Sequence, residues 1–236
     1  MDDRYLYLCV NACCVLVPFL FSFHPAIRFY RLWKVFIPVT LVVAAFFIVW
    51  DIIFTRLGVW SFNDRYVLGY YLFNLPLEEV LFFICIPYAC MFTFYCMHKF
   101  TSLRSSVGLY RFTIALAVFF CAVAVAFAPR LYTSVTLLLL SALLFYCGYK
   151  KVSFLPTFYL SFAIILIPFF ISNGILTGMW SSEATVRYNN LHNLNIRLGT
   201  IPVEDTFYGM LLQLANAVGL VYFSRRQNIA FTQPAV

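Results

Sequence analysis

The sequence predicts an all-α membrane protein with seven transmembrane helices, arranged as two parallel three-helix repeats joined by one linking helix. Three observations predict this fold. Hydrophobic residues make up 64% of the 236-residue chain and charged residues 11%, so a soluble domain of this length could not bury its apolar surface. Seven apolar segments have the length of a membrane-spanning helix. A motif of a proline followed by two acids occurs once in each half of the chain.

The seven apolar segments are each about 18 to 22 residues long, enough to cross a hydrocarbon core of about 30 Å as a helix. They do not alternate polar and apolar residues as the strands of a membrane β-barrel would. The predicted helices are Tyr5–Phe23, Val35–Phe54, Pro76–Met97, Leu109–Phe127, Leu131–Tyr149, Phe154–Ile171 and Pro202–Phe223.

The basic residues predict how the helices are oriented. Ten of the 16 lie in loops on one side of the predicted bundle and six on the other. The positive-inside rule then predicts an external N-terminus and a cytoplasmic C-terminus in a multi-pass protein of the cell (inner) membrane. Asp2 and Asp3 stand where a secretory signal would carry positive charge, so we expect an uncleaved first helix. The net charge of +7 is dispersed over these loops, which argues against a nucleic-acid partner.

The eight cysteines all lie in apolar segments, without a C-x-x-C motif or a cysteine–histidine cluster of metal spacing. They are therefore expected to be small core residues. The chain also has no G-x-G-x-x-G motif and no P-loop, the usual signatures of a dinucleotide or nucleotide site. From these patterns we expect no metal site and no cofactor.

The two halves of the chain align with each other. Gly58-Val59-Trp60 matches Gly178-Met179-Trp180, and Leu75–Glu79 matches Ile201–Asp205 with six more residues in the second loop. This self-similarity predicts two repeated units. The extra helix between them restores the direction of the second repeat, so both motif loops emerge on one membrane face. The predicted units are 1–100, a linking helix in 101–129, a second repeat in 130–225 and a C-terminal tail, 226–236.

The proline motifs contain four of the nine acidic residues, in Leu75-Pro76-Leu77-Glu78-Glu79 and Ile201-Pro202-Val203-Glu204-Asp205. One interpretation is helix capping, because proline suits the first turn of a helix and acids suit its positive dipole end. One carboxylate suffices for a cap, however, and adjacent residues point about 100° apart around a helix. The second acid is therefore expected to face the interior of the bundle.

Charged groups beside hydrocarbon are costly and are usually retained for a function. We expect the four motif acids to form one acid–base site, with at least one carboxyl group protonated at neutral pH. A divalent metal is an alternative partner for paired carboxylates. Structural salt bridges are another. The candidate arginines for such bridges are Arg56, Arg65, Arg187 and Arg197.

Further candidates lie near the motifs. Asp51, in the last turn of the second helix, is a candidate catalytic acid together with Glu78, Glu79, Glu204 and Asp205, and Asn173 occupies a comparable place in the second half. The surrounding aromatic residues fit an interfacial belt, but their π faces would also stabilise a carbocation. The candidate substrate-binding residues are Trp60, Phe62, Asn63, Tyr66, Phe82, Phe83, Trp180, Tyr188, Asn189 and Tyr208.

These motifs resemble a known family. Trp50-Asp51, Gly58–Asn63 and Leu75–Glu79 are similar to the first half of the small integral-membrane lycopene cyclases. Tyr188-Asn189 and Ile201–Asp205, followed by Tyr208-Gly209, are similar to their second half. The resemblance covers nearly the whole chain and fits the form in which both halves are fused.

The resemblance implies a lycopene β-cyclase, an intramolecular lyase of the isomerase class. Such an enzyme protonates the terminal double bond of a linear ψ end group, closes a six-membered ring through a tertiary cation and then removes a proton. Because the reaction involves no net redox change, no cofactor is implied. The implied partners are a lipophilic carotenoid and membrane lipid, and the sequence does not predict an oligomeric state.

Three other classes of membrane protein are alternatives to this one. A retinal photoreceptor needs a Schiff-base lysine in its last helix, and Pro202–Phe223 has none. An intramembrane prenyltransferase would carry aspartate-rich motifs, and Asn63-Asp64 lacks the distal aspartate. A non-catalytic carotenoid-binding or transport protein would use the acids as proton relays.

Overall fold

The computed structural model describes residues 3–227 and contains seven long helices in this part of the chain. All seven are long and apolar enough to cross a membrane, which confirms the predicted fold class. Residues 1–2 and 228–236, with Asp2 and most of the predicted tail, lie outside the described residues. The helices are α1 (Leu6–Phe21), α2 (Trp33–Arg56), α3 (Leu77–Phe100), α4 (Val107–Ala126), α5 (Leu131–Tyr149), α6 (Leu155–Leu176) and α7 (Val203–Arg226).

The helix bounds follow the predicted apolar segments closely, with one difference that affects the site. Helix α6 continues to Leu176, five residues beyond the predicted end at Ile171. The residues that follow Ile171 continue the helix, since Thr177 N–H donates to the Asn173 carbonyl at 2.8 Å. Asn173 is therefore a helical residue and has a fixed position.

The seven helices form two three-helix repeats, α1–α3 and α5–α7, with α4 packed against α5. Within the repeats, α1 packs against α3 and α5 against α7 in the same way. Across the repeats, α2 packs against α7 and α6 against α3. The repeats therefore interlock, and each completes its core with a helix of the other. The predicted unit boundaries stay a prediction.

Six short strands lie in the two motif loops. They are β1 (Trp60–Phe62), β2 (Tyr71–Leu72), β3 (Leu75–Pro76), β4 (Val186–Tyr188), β5 (Arg197–Leu198) and β6 (Ile201–Pro202). Strands β1 and β4 pair antiparallel, with Trp60 opposite Tyr188 and Ser61 opposite Arg187. This pairing brings both motif loops together at one end of the bundle, as the repeat predicted.

Each acidic helix follows directly from a tight hairpin. Strand β2 pairs with β3, and β5 pairs with β6. The two-residue turns contain Phe73 and Gly199, each with the positive φ that such turns require (57° and 67°). Pro76 and Pro202 end the second strands and cap α3 and α7. The two acids are therefore the second and third helical residues, in the first turn of each helix.

Helix α2 packs closely against one side of α7. A Cβ atom on Gly219 would lie 2.6 Å from Cγ1 of Val39, so this position accepts only glycine without a rearrangement. Thr40 Oγ1 donates a hydrogen bond to Asn216 Oδ1 at 2.8 Å nearby. The α2–α7 contact leaves no room between these two helices.

A disulfide between the two loops tests the β1–β4 register. Directly opposite residues in an antiparallel pair have Cα atoms about 4.5–5.5 Å apart, within the range that a disulfide spans. The double variant S61C/R187C should therefore form a cross-linked peptide on mild oxidation, detected by mass spectrometry after proteolysis. The single variants S61C and R187C are the controls and should form none. Failure of the double variant to cross-link would contradict the register.

Candidate active site

A cavity of about 610 Å³ lies among helices α1, α3, α6 and α7, next to the paired strands β1 and β4. Most of its lining is apolar and comes from the four helices. A group of nine polar and aromatic side chains lines the end of the cavity where α3 and α7 begin. They are Tyr7, Asp51, Trp60, Glu79, Tyr132, Asn173, Tyr188, Asp205 and Tyr208.

The first polar cluster is built around Glu79, which is 8% exposed. The Tyr7 hydroxyl donates to Glu79 Oε2 at 2.5 Å, and the carboxyl groups of Glu79 and Asp51 share a hydrogen bond. Asp51 Oδ1 also accepts from Trp60 Nε1 at 2.5 Å and from Thr55 Oγ1 at 3.3 Å. Because a carboxylate has no proton to donate, a hydrogen bond between two carboxyl groups requires one proton between them. Such a pair can hold one shared acidic proton.

The second polar cluster is built around Asp205. Tyr132 donates its hydroxyl proton to Asp205 Oδ1 at 2.6 Å. Tyr188 and Asn173 Nδ2 donate to Oδ2 at 2.8 and 2.7 Å. In the loop, burial and the neighbouring charge of Asp205 raise the pKa of the Tyr188 phenol well above its ordinary value. The phenol therefore keeps its proton and remains a donor at neutral pH.

The two clusters are related by the repeat. Tyr7 and Tyr132 each lie in the first turn of their helix, and each bonds the second acid of a motif. The residue beside the second acid differs between the repeats. Helix α2 supplies the carboxyl group of Asp51, whereas α6 supplies the amide of Asn173. The repeat thus supplies two similar acid sites, one with a second carboxyl group and one without.

Glu78 and Glu204, the first acids of the motifs, do not line the cavity. Their Oε1 atoms accept the backbone N–H of Leu68 and Leu194, in each case at 2.7 Å. Thr133 donates to the same Glu204 oxygen at 2.6 Å. Both carboxyl groups are almost completely buried. Each motif therefore divides its acids between two positions, the first holding the loop and the second facing the cavity.

Of the ten predicted substrate-binding residues, five line the cavity: Trp60, Phe62, Phe82, Tyr188 and Tyr208. Tyr208 contacts the aromatic residues of α2, with ring centroids 5.1 Å from Trp50 and 5.2 Å from Phe47. The aromatic residues that face the cavity therefore come from both repeats and from both motif loops.

The other five candidates lie away from the cavity. Three of them connect the loops. Asn63 Nδ2 donates to Glu183 Oε2 at 2.8 Å, the Tyr66 hydroxyl is 3.1 Å from Ser182 Oγ, and Asn189 Nδ2 donates to the Gly58 carbonyl at 3.1 Å. The remaining two are Phe83, buried against Phe47, and Trp180, which is 63% exposed.

Three of the four arginines considered as salt-bridge partners of the motif acids have other contacts. Arg65 pairs with Asp3, and Arg187 pairs with Glu183, both at exposed positions. Arg197 donates to the Thr200 carbonyl. Within residues 3–227, no three His, Cys, Asp or Glu side chains are arranged to hold a metal ion. The contacts of the motif acids are instead hydroxyl, amide and carboxyl groups.

Tyr7 and Tyr132 were missed by the sequence interpretation. Each lies in the first helix of its repeat, 72 and 73 residues before the acid that it bonds. That nearly equal separation was the available signal, and a repeat alignment extended back into α1 and α5 would have found it.

The fold and site define a polytopic membrane protein whose acid-lined apolar cavity suits a membrane-dissolved substrate. A family model described as lycopene cyclase matches residues 4–97 and 129–223. The two segments cover most of the chain, so the protein belongs to the lycopene cyclase family and contains the family unit twice. This membership supports carotenoid cyclase activity. Searches of curated proteins and of solved structures found no match.

Removal of a loop-holding carboxyl group should lower stability. The variant E204A leaves the Leu194 amide and the Thr133 hydroxyl without their acceptor, at a cost of about 1–3 kcal/mol. E204Q keeps an acceptor oxygen and should lose less stability than E204A. Thermal unfolding in detergent, followed by fluorescence, measures the difference, with E78A and E78Q as the matched pair in the first repeat. An E204A variant as stable as the wild type would contradict this role.

Proposed function

We propose that this protein is a lycopene β-cyclase. It converts the linear ψ end groups of lycopene into β-ionone rings, giving γ-carotene and then β-carotene, by proton-initiated cyclisation with no net redox change. The observation that supports this most is the placement of three carboxyl groups, on Asp51, Glu79 and Asp205, at one end of an apolar cavity. The reaction places the protein among the intramolecular lyases of the isomerase class.

The cavity has a shape suited to a linear hydrocarbon. On α3 its lining runs from Glu79 to Thr93, which corresponds to about 21 Å at a rise of about 1.5 Å per residue. An extended polyene can lie along this groove with its end group against the carboxyl groups. The equivalent face of α7 is covered by α2 at Gly219. The proposed binding groove is therefore on one side of the bundle.

The substrate is proposed to reach the groove from the bilayer. Cys13 and Val17 of α1 and Ile171 of α6 line the cavity and are also exposed on the outer surface of the bundle. Helices α1 and α6 both flank α3 but contact each other little. A carotenoid dissolved in lipid can enter between them without crossing water.

The aromatic rings suit the proposed cationic intermediate. Trp60, Phe82 and Tyr208 line the same end of the cavity as the carboxyl groups. The π face of an aromatic ring attracts a cation, more strongly where water is absent. Exclusion of water also prevents the cation from being captured as an alcohol. These rings therefore favour ring closure over hydration.

A diphosphate substrate, as in a prenyltransferase, fits this site poorly. Within residues 3–227 the cavity lining includes neither lysine nor arginine, and a diphosphate needs positive charge nearby. A neutral polyene has no such requirement.

The proposed location is the cell (inner) membrane, with the N-terminus outside and the C-terminus in the cytoplasm. The paired motif loops share the end of the bundle to which the N-terminal end of α1 belongs, because Arg65 of the first loop bonds Asp3 at 2.6 Å. In this orientation the catalytic carboxyl groups lie near the external face, and membrane lipid surrounds the helices.

Expression in a lycopene-accumulating host tests the function. The wild type should convert lycopene into γ-carotene and β-carotene, identified by chromatography and absorption. E79Q and D205N should reduce conversion on the order of 10²- to 10⁴-fold, the usual contribution of a general acid or base. E78Q and E204Q keep the loop acceptors and should retain most activity.

The amount of each variant in the membrane fraction controls for folding. Unchanged lycopene from a well-inserted wild type would overturn the proposed function. Full activity of E79Q and D205N would instead mean that a protein with this function uses other catalytic groups.

A bulky residue in the groove tests where the substrate binds. Ala89 of α3 lines the cavity, so A89W should fill part of the groove and reduce lycopene conversion at least tenfold. A115W makes the same change on α4 at an exposed position outside the cavity lining and should leave conversion unchanged. Equal activity of the two variants, at equal membrane levels, would contradict binding in this groove.

A further inference from the structure

We propose that the Asp51–Glu79 pair donates the proton that starts cyclisation and that Asp205 removes the proton that ends it. This assignment rests on the proposed cyclase function and specifies its two proton-transfer steps. It makes the two repeats unequal, with the acid supplied by the first and the base by the second.

The first repeat holds a proton that can be given. The carboxyl groups of Asp51 and Glu79 line the same end of the cavity and interact with each other, and two carboxyl groups joined by a hydrogen bond share one proton. Trp60 Nε1, which can only donate, occupies Asp51 Oδ1, and the Tyr7 hydroxyl occupies Glu79 Oε2. These two donors can stabilise the negative charge that remains when the shared proton leaves.

The second repeat holds a group arranged to accept. Both oxygens of Asp205 already receive hydrogen bonds, from Tyr132 on Oδ1 and from Tyr188 and Asn173 on Oδ2. Three donors around one carboxylate favour its ionised form. In its ionised form Asp205 has no proton to donate at the start of the reaction and can accept one at its end.

One substitution between the repeats accounts for the difference. Asp51 supplies a second carboxyl group beside Glu79, whereas Asn173 supplies an amide donor beside Asp205. Tyr7 and Tyr132, which bond Glu79 and Asp205, are equivalent in the repeat, and Tyr188 is a further donor to Asp205. The chemical identity of the α2 and α6 residue therefore decides which acid is protonated.

The steps balance without another reactant. The terminal double bond of the polyene uses its π electrons to bond the proton from the pair, which leaves a tertiary cation. The π electrons of the next double bond form the ring C–C bond and move the cation into the ring. Asp205 takes a proton from the adjacent ring carbon, and those C–H electrons form the ring double bond. Return of that proton from Asp205 to the pair completes an isomerisation.

The type of ring distinguishes the two roles, because the base decides which proton leaves the cation. E79Q and D51N should leave lycopene unreacted, with conversion reduced on the order of 10²- to 10⁴-fold and any residual product still a β ring. D205N should raise the ratio of other products, such as ε rings, γ rings or hydroxylated ends, to β rings at least tenfold.

A second variant tests the role of Asp205 in case D205N is simply inactive. N173D places a carboxyl group beside Asp205, as Asp51 does beside Glu79, so Asp205 should share a proton and no longer act as a free base. It should therefore change the product ratio in the same direction while Asp51 and Glu79 are intact. Products are separated by chromatography and identified by absorption and mass, with A115W as the control.

The outcomes separate this proposal from the function itself. An inactive wild type overturns the cyclase function and this assignment with it. With an active wild type, altered rings from E79Q or D51N overturn the assignment. An N173D variant that makes only β rings also overturns the assignment. This holds both when D205N makes β rings at a lower rate and when D205N makes no product.

Discussion

The structure depends on how buried carboxyl groups are satisfied at the starts of α3 and α7. Four acids in two helix turns lie almost fully out of contact with solvent, and an unpaired charge there would be costly. The two acids of each motif take different hydrogen-bond donors. Glu78 and Glu204 take loop amides and so fix the loops, while Glu79 and Asp205 take tyrosine hydroxyls and face the cavity.

The fold was largely predictable because its determinants are local or repeated. The length and composition of the apolar segments give the seven helices, and the repeated motif gives their arrangement. The approximate position of the site was also predictable, since Glu79 and Asp205 stand out in a chain with nine acidic residues. The division within each acidic pair was not, because the 100° between neighbours on a helix says that two acids point apart but not which faces the interior.

The contacts that complete the site depend on tertiary packing, so the local sequence around these residues does not indicate them. Tyr7 and Tyr132 are ordinary aromatic residues near the ends of apolar segments and gain their role only when α1 and α5 pack against α3 and α7. Asn173 is of a residue type that is common at helix ends. Asn63 and Asn189 lie near the motifs in the sequence, which makes them candidates for substrate binding. Their bonds in the structure instead join one loop to the other.

Duplication gives two similar units, but a cyclisation needs two different proton-transfer groups and one place for the substrate. Two departures from symmetry bear on the proposed site. Asp51 is replaced by Asn173 in the second repeat, and α2 closes over α7 at Gly219, whereas the space beside α3 between α1 and α6 forms the cavity. The repeat therefore supplies the scaffold and a pair of acids, and in the proposed mechanism these two differences decide which acid donates the proton and which accepts it.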